Sequence, residues 1–418
     1  MKITSIFFPD AIAIVKNRLP LSRDGWLLFT TCGVRSFAYG FLSVILGLYL
    51  DAIGLSKAAI GWIFTAALAG GAVMTIMLTA IADRVGRRTL LIVGAALMAL
   101  AGFVFAVSDD PILLAAAAIF GTISPSGKEV GPFLSIEQAI LPQTTYDQHR
   151  TAVFSAYNLV GSLLGALGAL AVGLPSLFSL PTISGYRALL WAYVLCAVVM
   201  MVMFTFLSPS IEGKTDDIFP ARQIGMRRSR GIVAKLAALF ALDAFAGGFI
   251  VQSIVAYWFY LRFQTDLNAL GGIFFGTNLL SALSFLAAPA IARRIGLLNT
   301  MVFTHLPSNL MLLLVPLMPN LELAVITLLA RNSLSQLDVP TRQSYSMAVV
   351  DPDERAASAG ILSVARNAGG AIAPLFTGAI LALPSLGLPF LLAGGLKVVY
   401  DLWIFLVFRR FRPPEERS

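Results

Sequence analysis

Charged residues are scarce in this sequence. Asp, Glu, Lys and Arg make up 12% of the 418 residues, whereas they make up about a quarter of a soluble domain. Hydrophobic residues make up 58%, and the mean hydropathy is +0.83. A soluble core cannot hide that much apolar surface, and barrel strands do not give apolar runs of about 20 residues. The composition therefore indicates an all-α membrane protein.

Residues for disulfide, metal and catalytic chemistry are scarce as well. The two cysteines, Cys32 and Cys196, lie in apolar segments, and the two histidines are far apart, so we expect neither disulfides nor a metal site. Phosphate-loop, zinc-protease and hydrolase motifs are absent, which argues against ATP-driven transport and against an enzyme. We expect no cofactor. Basic loops beside membrane spans account for the net charge of +8, so no nucleic-acid partner is expected.

Twelve apolar segments are long enough to cross a bilayer, at about 20 residues a crossing. The fourth, seventh and tenth are over-long, so each must tilt, kink or extend beyond the hydrocarbon. The predicted spans are 26–50, 58–82, 89–108, 111–141, 151–175, 186–207, 231–261, 268–292, 301–318, 321–349, 356–383 and 387–408.

Basic residues orient these spans. Of the 30 Lys and Arg residues, this topology leaves only Lys57, Arg187 and Arg262 in outer loops, and most of the others flank the inner ends of spans. Because basic residues beside spans stay cytoplasmic, both termini are predicted to lie inside. Residues 1–24 form a predicted amphipathic cytoplasmic lead-in, and residues 411–418 a cytoplasmic tail.

The two halves of the chain repeat one another. A polar linker separates two predicted six-helix bundles, and three pairs of segments match across it in the same order. Two such halves imply a central cavity at their interface. The linker is 208–230 and the bundles are 25–207 and 231–410; the matched segments are 35–41 with 243–249, 81–86 with 291–296, and 137–150 with 342–355.

The turn between spans 2 and 3 carries the most specific motif, formed by Asp83, Arg84, Gly86, Arg87 and Arg88. It resembles the G-x-x-x-D-R-x-G-R-R/K loop of the major facilitator superfamily, with Thr79 in place of the first glycine. The resemblance covers essentially the whole chain. It implies twelve transmembrane helices in two pseudo-symmetric six-helix halves, with alternating access around a midplane site. The turn lies on the cytoplasmic face in this topology, so we assign it to gating.

Ionisable residues within spans are candidates for substrate or proton binding, with mutual pairing as the alternative, because a charge in hydrocarbon is costly. Arg35 and Asp243 occupy equivalent positions in spans 1 and 7, which line the cavity in the family that the chain resembles. Asp243 is the better proton carrier, since arginine does not release its proton. Lys128 and Glu129 lie where prolines and glycines interrupt span 4, and Glu129 is the second candidate carrier.

Span 10 carries Arg331, Asp338 and Arg342 at i, i+7 and i+11, so these side chains form one stripe. Asp338 and Arg342 can pair at i, i+4, and Pro340 predicts a kink near Asp338. We assign Arg331 and Asp338 to the cavity. A contact between Arg342 and Glu137, its counterpart in the first half, would make a cytoplasmic gate.

Three further features favour structural roles. The segment 369–378 of span 11 resembles the antiporter motif of drug/proton exchangers, but close helix packing by small residues is the better interpretation. Lys397 and Asp401 are spaced to pair at i, i+4. His305 is interpreted as a packing residue with satisfied hydrogen bonds.

These patterns predict a secondary transporter in the plasma membrane of a bacterial cell, acting on a small amphipathic or charged organic compound. Proton-coupled efflux is the first expectation, and proton-coupled uptake of a metabolite is the alternative. Two other classes stay open. A receptor would signal without flux, and an intramembrane enzyme would need a nucleophile–base pair. The expected partners are the substrate, protons and the lipid bilayer, and we expect a monomer.

Overall fold

The computed structural model describes residues 21–128, 132–146, 149–212, 228–351, 354–381 and 387–409, which contain helices and no β-strand. Most of the predicted lead-in, linker and tail therefore lies outside the described residues. The helices are α1 (Arg23–Ala52), α2 (Lys57–Val85), α3 (Arg87–Val107), α4 (Pro111–Phe120), α5 (Phe133–Ile140), α6 (Arg150–Leu170), α7 (Leu174–Leu177), α8 (Thr182–Thr205), α9 (Arg230–Gly248), α10 (Gln252–Phe263), α11 (Leu267–Ile295), α12 (Leu297–Leu314), α13 (Leu321–Leu334), α14 (Asp338–Ala348), α15 (Arg355–Leu381) and α16 (Leu388–Phe408).

Nine helical stretches in the described part of the chain are long and apolar enough to cross a membrane. They correspond to all the predicted spans except the fourth, tenth and eleventh. The fourth span is divided between α4 and α5, the tenth is divided between α13 and α14, and the eleventh is the single helix α15. The all-α membrane architecture is therefore confirmed.

All three over-long spans are interrupted, which corresponds to the kink among the three alternatives of tilting, kinking or extending beyond the hydrocarbon. The fourth is broken between Phe120 and Phe133, where Thr122 and Gly127 take left-handed φ values of 53° and 68°. Within this break the Ser124 hydroxyl donates to the Lys128 carbonyl at 2.6 Å, so a side chain satisfies a backbone acceptor that lies outside the helices. The seventh span is broken at 249–251 and the tenth at 335–337. The kink predicted near Asp338 is confirmed, because α14 begins at that residue.

The internal repeat is visible in two equivalent turns. Gly86 connects α2 to α3 with φ 99°, and Gly296 connects α11 to α12 with φ 86°. Each glycine donates its N–H to the carbonyl four residues earlier, at 3.0 Å and 2.9 Å, and so ends the preceding helix. Only glycine adopts such a positive φ without steric cost, which explains why the turn motif keeps it.

Two equivalent helix crossings repeat as well. A Cβ at Gly40 of α1 would lie 2.1 Å from the Gly165 carbonyl oxygen of α6, and a Cβ at Gly248 of α9 would lie 2.6 Å from the Gly370 carbonyl oxygen of α15. Neither approach is possible with a side chain, so both crossings depend on glycine. A Cβ at Gly369 would likewise meet a backbone oxygen of α9 at 2.3 Å. The interpretation of segment 369–378 as a close-packing surface is confirmed.

The described residues form two compact units. The first is built from Pro9–Phe219 with Val251–Asn278, and the second from Pro220–Ile250 with Leu279–Ser418. Residues 251–278 belong to the second repeat by sequence, yet they pack with helices of the first. Within the first unit, Ser253 donates to the Ser43 carbonyl at 2.6 Å, and the Tyr257 hydroxyl donates to Asp51 at 2.7 Å. Helix α10 is thus attached to α1.

The core of the second unit lies where α9, α12 and α16 meet. Val233 and Phe240 of α9, Met301 of α12, and Tyr400 and Ile404 of α16 are all at most 2% exposed. The ion-pair network described next lies against this apolar cluster, since Phe240 covers the Arg342 guanidinium at 5.6 Å. The network is thereby kept from water on that side.

Candidate functional site

The first unit contains a sealed ion pair. Arg35 of α1 donates to both carboxylate oxygens of Glu137 of α5, at 2.9 Å and 2.6 Å, and both side chains have 0% exposure. The Tyr157 hydroxyl of α6 also donates to Glu137, and the Phe133 ring lies 4.7 Å from the Arg35 guanidinium. This two-point geometry satisfies both charges at once. Arg35, predicted as a substrate or proton residue, is therefore fully paired inside its own unit.

The charged turn is also anchored within the first unit. The backbone N–H groups of Arg87 and Arg88 donate to Glu212 at 2.6 Å and 3.2 Å, which places a carboxylate at the N-terminus of α3. The Arg88 guanidinium donates to the Thr205 carbonyl at the end of α8. These contacts fasten α3 to α8, and the gating role of the turn stays a prediction. Arg84 is exposed, and the Asp83 side chain lies outside the described residues.

Glu354 makes a similar cap in the second unit, on a helix that is not the repeat counterpart of α3. Its carboxylate accepts from the backbone N–H groups of Arg228 and Ser229, at 3.1 Å and 2.8 Å, just before α9 begins. Neither Glu212 nor Glu354 was expected to act in this way. A glutamate that caps a helix distant in sequence leaves no local spacing pattern, which is why the sequence did not indicate it.

Asp243 is the centre of a larger network in the second unit. Its carboxylate accepts from Lys397 of α16 at 2.5 Å and from Arg342 of α14 and Arg366 of α15 at 3.2 Å each. The Nε2 atom of His305 of α12 lies 3.9 Å away. The Asp243 side chain is only 4% exposed, while Arg366 is 33% exposed and so forms the open edge of the network.

Two more carboxylates complete this network. Asp338 pairs with Arg342 at 2.7 Å, which confirms the predicted i, i+4 contact. Asp401 contacts His305 Nδ1 at 2.7 Å and accepts from the Asn309 amide at 2.8 Å. The predicted pairing of Lys397 with Asp401 is wrong, because each side chain has a partner on another helix. His305 is hydrogen-bonded, as predicted, but within a charged network.

The predicted contact between Glu137 and Arg342 is replaced by two separate pairings. Both oxygens of Glu137 are taken by Arg35, and Arg342 is held by Asp338 and Asp243. Each side chain of the predicted gate thus has its partners in its own unit.

The remaining candidate residues are less enclosed. Lys128 is exposed in the break of the fourth span, and Glu129 lies outside the described residues. Arg331 is partly exposed in the last turn of α13 and donates to the Asn332 amide oxygen at 3.3 Å.

The sequence indicated Asp243, Asp338 and Arg342 but missed three partners of Asp243. Lys397 and Arg366 are charges within spans, and the cost of such charges could have marked both as members of a site. His305 gave a weaker signal, since a single histidine in an apolar helix usually packs. Chemically, the network holds a buried carboxylate that gathers cations from three helices beside the His305 imidazole.

Comparison with known proteins decides the family. The sequence model of the Major Facilitator Superfamily matches residues 28–336, about three quarters of the chain. The chain belongs to the Major Facilitator Superfamily. Members of this superfamily are membrane transporters, so a small-molecule transporter is the class to which the protein belongs.

Two relatives illustrate how widely similar sequences occur. An uncharacterized membrane protein of Saccharomyces cerevisiae is 29% identical over 422 residues, covering 93% of this chain and 94% of that protein. A gallate transporter of Pseudomonas putida is 25% identical over 231 residues, covering 54% of this chain and 48% of that protein.

Solved structures of superfamily transporters share the fold. The nucleoside transporter NupG superposes with a TM-score of 0.72 at 14% identity, covering 93% of this chain and 100% of that one. The xylose transporter XylE from E. coli gives 0.72 at 11% identity, covering 95% and 100%. The human organic anion transporter MFSD10 gives 0.62 at 20% identity, covering 91% and 98%. At these identities the likeness concerns the fold alone.

Proposed function

We propose that this superfamily member is a proton-coupled transporter of a small organic compound and that Asp243 carries the coupled proton. One observation carries the proposal: Asp243 is a buried carboxylate that is held by Lys397, Arg342 and Arg366 from three different helices. Ionisable side chains placed this way inside a membrane protein are typical of proton and substrate pathways.

Protonation of Asp243 would change the forces between those helices. A proton from the aqueous phase adds to one carboxylate oxygen and leaves a neutral acid, while Lys397, Arg342 and Arg366 keep their charges. Three helices thereby lose the anion that holds their cations together. A ligand shifts a conformational equilibrium when it binds two states unequally, and here the proton is such a ligand. Alternating access would use this shift to reorient the transporter.

The substrate belongs to the small organic compounds. The similar transporters are named for nucleosides, xylose, gallate and organic anions, which are all small organic compounds. For location we propose the plasma membrane, with both termini in the cytoplasm, on the strength of the basic residues at the predicted inner ends. One similar protein comes from yeast and one from a bacterium, so the proposed plasma membrane is compatible with either kind of cell.

Proteoliposomes that contain purified full-length protein and a trapped pH-sensitive dye test the coupling. We expect at least one of uridine, xylose and gallate to drive proton movement together with its own flux in the wild type. Proton movement should be lost in Asp243→Asn. Flux towards the proton source would indicate efflux by exchange, and flux in the same direction as protons would indicate uptake.

Asp109→Asn is the matched control, because Asp109 is an exposed carboxylate that pairs with Arg187 at the surface. It should keep wild-type coupling. Substrate flux without proton movement in the wild type, or unchanged coupling in a folded Asp243→Asn protein, would refute the proposal. If Asp243→Asn does not fold, Asp243→Glu keeps the charge on a longer side chain and should give altered, but not absent, coupling.

A further inference from the structure

The charges of the network around Asp243 do not balance. Within the described residues of the second unit, the network around Asp243 and its neighbours brings together four cations and three carboxylates, even with His305 counted as neutral. The cations are Arg331, Arg342, Arg366 and Lys397, and the carboxylates are Asp243, Asp338 and Asp401. An uncompensated charge in a membrane protein is expensive, so a counter-charge is expected from outside the chain.

Arg331 is the cation without a carboxylate of its own. Its terminal nitrogen donates to the neutral Asn332 amide at 3.3 Å, and its Nε atom is buried without a hydrogen-bond partner among the described residues. Asp338 and Asp243 act on it only beyond ion-pairing distance, and both already hold Arg342. The C-terminal end of α13 offers partial negative charge but no full anion.

The position of Arg331 makes it reachable. It lies in the last turn of α13, directly before the break at 335–337, and its side chain is partly exposed. Arg35, its contrast in the first unit, is 0% exposed and holds a glutamate with two nitrogens. An arginine that is reachable, charged and short of acceptors is suited to bind a planar two-oxygen anion.

We propose that Arg331 binds the negative group of an organic anion, and that this anion is transported together with a proton. The proposal rests on the proposed proton coupling for its second half, and its first half concerns binding alone.

Charge linkage gives the direction of the coupling. Adding a proton to Asp243 makes the surroundings of Arg331 more positive, so the anion binds more tightly, and by reciprocity the bound anion favours the proton. Proton and anion then bind together, which is symport, whereas exchange requires that they compete. Uptake, which the sequence indicated as the alternative to efflux, is therefore favoured.

Several charged or titratable groups face Asp243 or its direct partners. They are Arg366 of α15, Lys397, Tyr400 and Asp401 of α16, His305 of α12, and Arg331, Asp338 and Arg342 of α13 and α14.

The binding test uses matched probes of one shape. Purified full-length protein in detergent is titrated with benzoate, gallate, benzenesulfonate, benzamide and benzylamine, and thermal unfolding is recorded, since a ligand stabilises the state that it binds. We expect the anions to raise the unfolding midpoint and the amide and amine to have no effect. Arg331→Gln should weaken anion binding by about tenfold or more, which is the usual size for a lost charge-assisted pair. Arg262→Gln, at an exposed arginine of α10, should bind as the wild type does.

Several outcomes would overturn the assignment. Equal stabilisation by benzamide, no stabilisation by any anion, or chloride and sulfate acting as well as the organic anions would each exclude an organic-anion site. The stability of the ligand-free variants gives an independent readout. Arg331→Gln should unfold no earlier than the wild type because it removes an unmatched charge, while Arg342→Gln should unfold earlier. Early unfolding of both variants would show that Arg331 is a structural ion-pair residue.

The pH dependence separates the two halves of the proposal. Benzenesulfonate keeps its charge throughout, so its affinity at acidic and neutral pH reports on the protein, and we expect tighter binding at acidic pH. Weaker binding at acidic pH would refute symport. An unchanged pH dependence in Asp243→Asn would move the proton to another group and refute the proposed role of Asp243, while leaving anion binding at Arg331 intact.

Discussion

Two buried arginine–carboxylate pairs lie at equivalent positions of the repeat with their charges exchanged. Arg35 on α1 pairs with Glu137 in the first unit, whereas Asp243 on α9 pairs with Arg342 in the second. The first pair is complete in itself and has 0% exposure. The second adds Lys397, Arg366, His305 and Asp338 and is open at Arg366. The same scaffold therefore holds a closed, neutral ion pair in one unit and a larger network of several charges in the other.

The exchange of charge explains why the two sites differ. An arginine at the centre of a site can be satisfied by one carboxylate through two parallel hydrogen bonds. A carboxylate at the centre has acceptor sites for several donors, so cations from neighbouring helices gather around it. The pair with the carboxylate on the first helix of its half is accordingly the one that belongs to a larger network.

The largest expected effect comes from breaking the closed pair. Glu137→Gln leaves Arg35 buried without its counter-ion and should destabilise the protein by about 3–5 kcal/mol, as loss of one partner of a buried pair does. The additional change Arg35→Gln should recover part of the loss, because no isolated charge then remains. Thermal unfolding in detergent measures both. A double variant no better than Glu137→Gln would show that the two side chains do not depend on one another.

A smaller effect should distinguish the two equivalent helix crossings. Gly40→Ala and Gly248→Ala each force a methyl group into a backbone carbonyl, and overpacking of this kind costs about 1–3 kcal/mol. Gly40→Ala should be the worse of the two, because its Cβ would lie 2.1 Å rather than 2.6 Å from the oxygen. Gly395→Ala on α16 is the control, since a Cβ there meets nothing within 4 Å. The reverse order in a thermal unfolding assay would contradict the ranking of the two crossings by their Cβ–oxygen distances.

The smallest expected effect concerns the Tyr157 hydroxyl, which donates to the Arg35–Glu137 pair and has no counterpart at the equivalent place in the second unit. Tyr157→Phe removes one hydrogen bond to Glu137 and should cost about 1 kcal/mol of stability. Leu362 occupies the equivalent place in the second unit and offers no such donor. Proton-coupled flux in Tyr157→Phe should keep the wild-type pH profile. A shifted profile would mean that the Arg35–Glu137 pair takes part in coupling after all.

Features that depend on residues close together in the sequence could be predicted from it. The positive φ of Gly86, the break before Asp338 and the pairing of Asp338 with Arg342 all follow from residues within one turn or one helix. The repeat and the membrane spans were also predictable, because apolar runs and matched segments need no tertiary information. The sequence therefore predicted the fold and, of the network in the second unit, the residues Asp243, Asp338 and Arg342.

Partner choice between helices could not be predicted in the same way. Lys397 had a carboxylate one turn away at Asp401, but Asp243 on another helix is its actual partner. A contact between Glu137 and Arg342 was predicted from their positions in the repeat. In the structure, α1 and α5 are oriented so that Arg35 pairs with Glu137. Such contacts depend on helix rotation and crossing, which are set by packing across the whole unit and leave no periodic trace.

Residues 251–278 have a consequence for how the chain can be divided. They follow the linker in sequence, yet their hydrogen bonds to Ser43 and Asp51 place them in the first unit. A polypeptide cut between spans 6 and 7 would therefore give a first fragment that lacks residues 251–278, which the second fragment carries. The two fragments would have to be produced together for the first unit to be complete, because part of that unit lies in the second fragment.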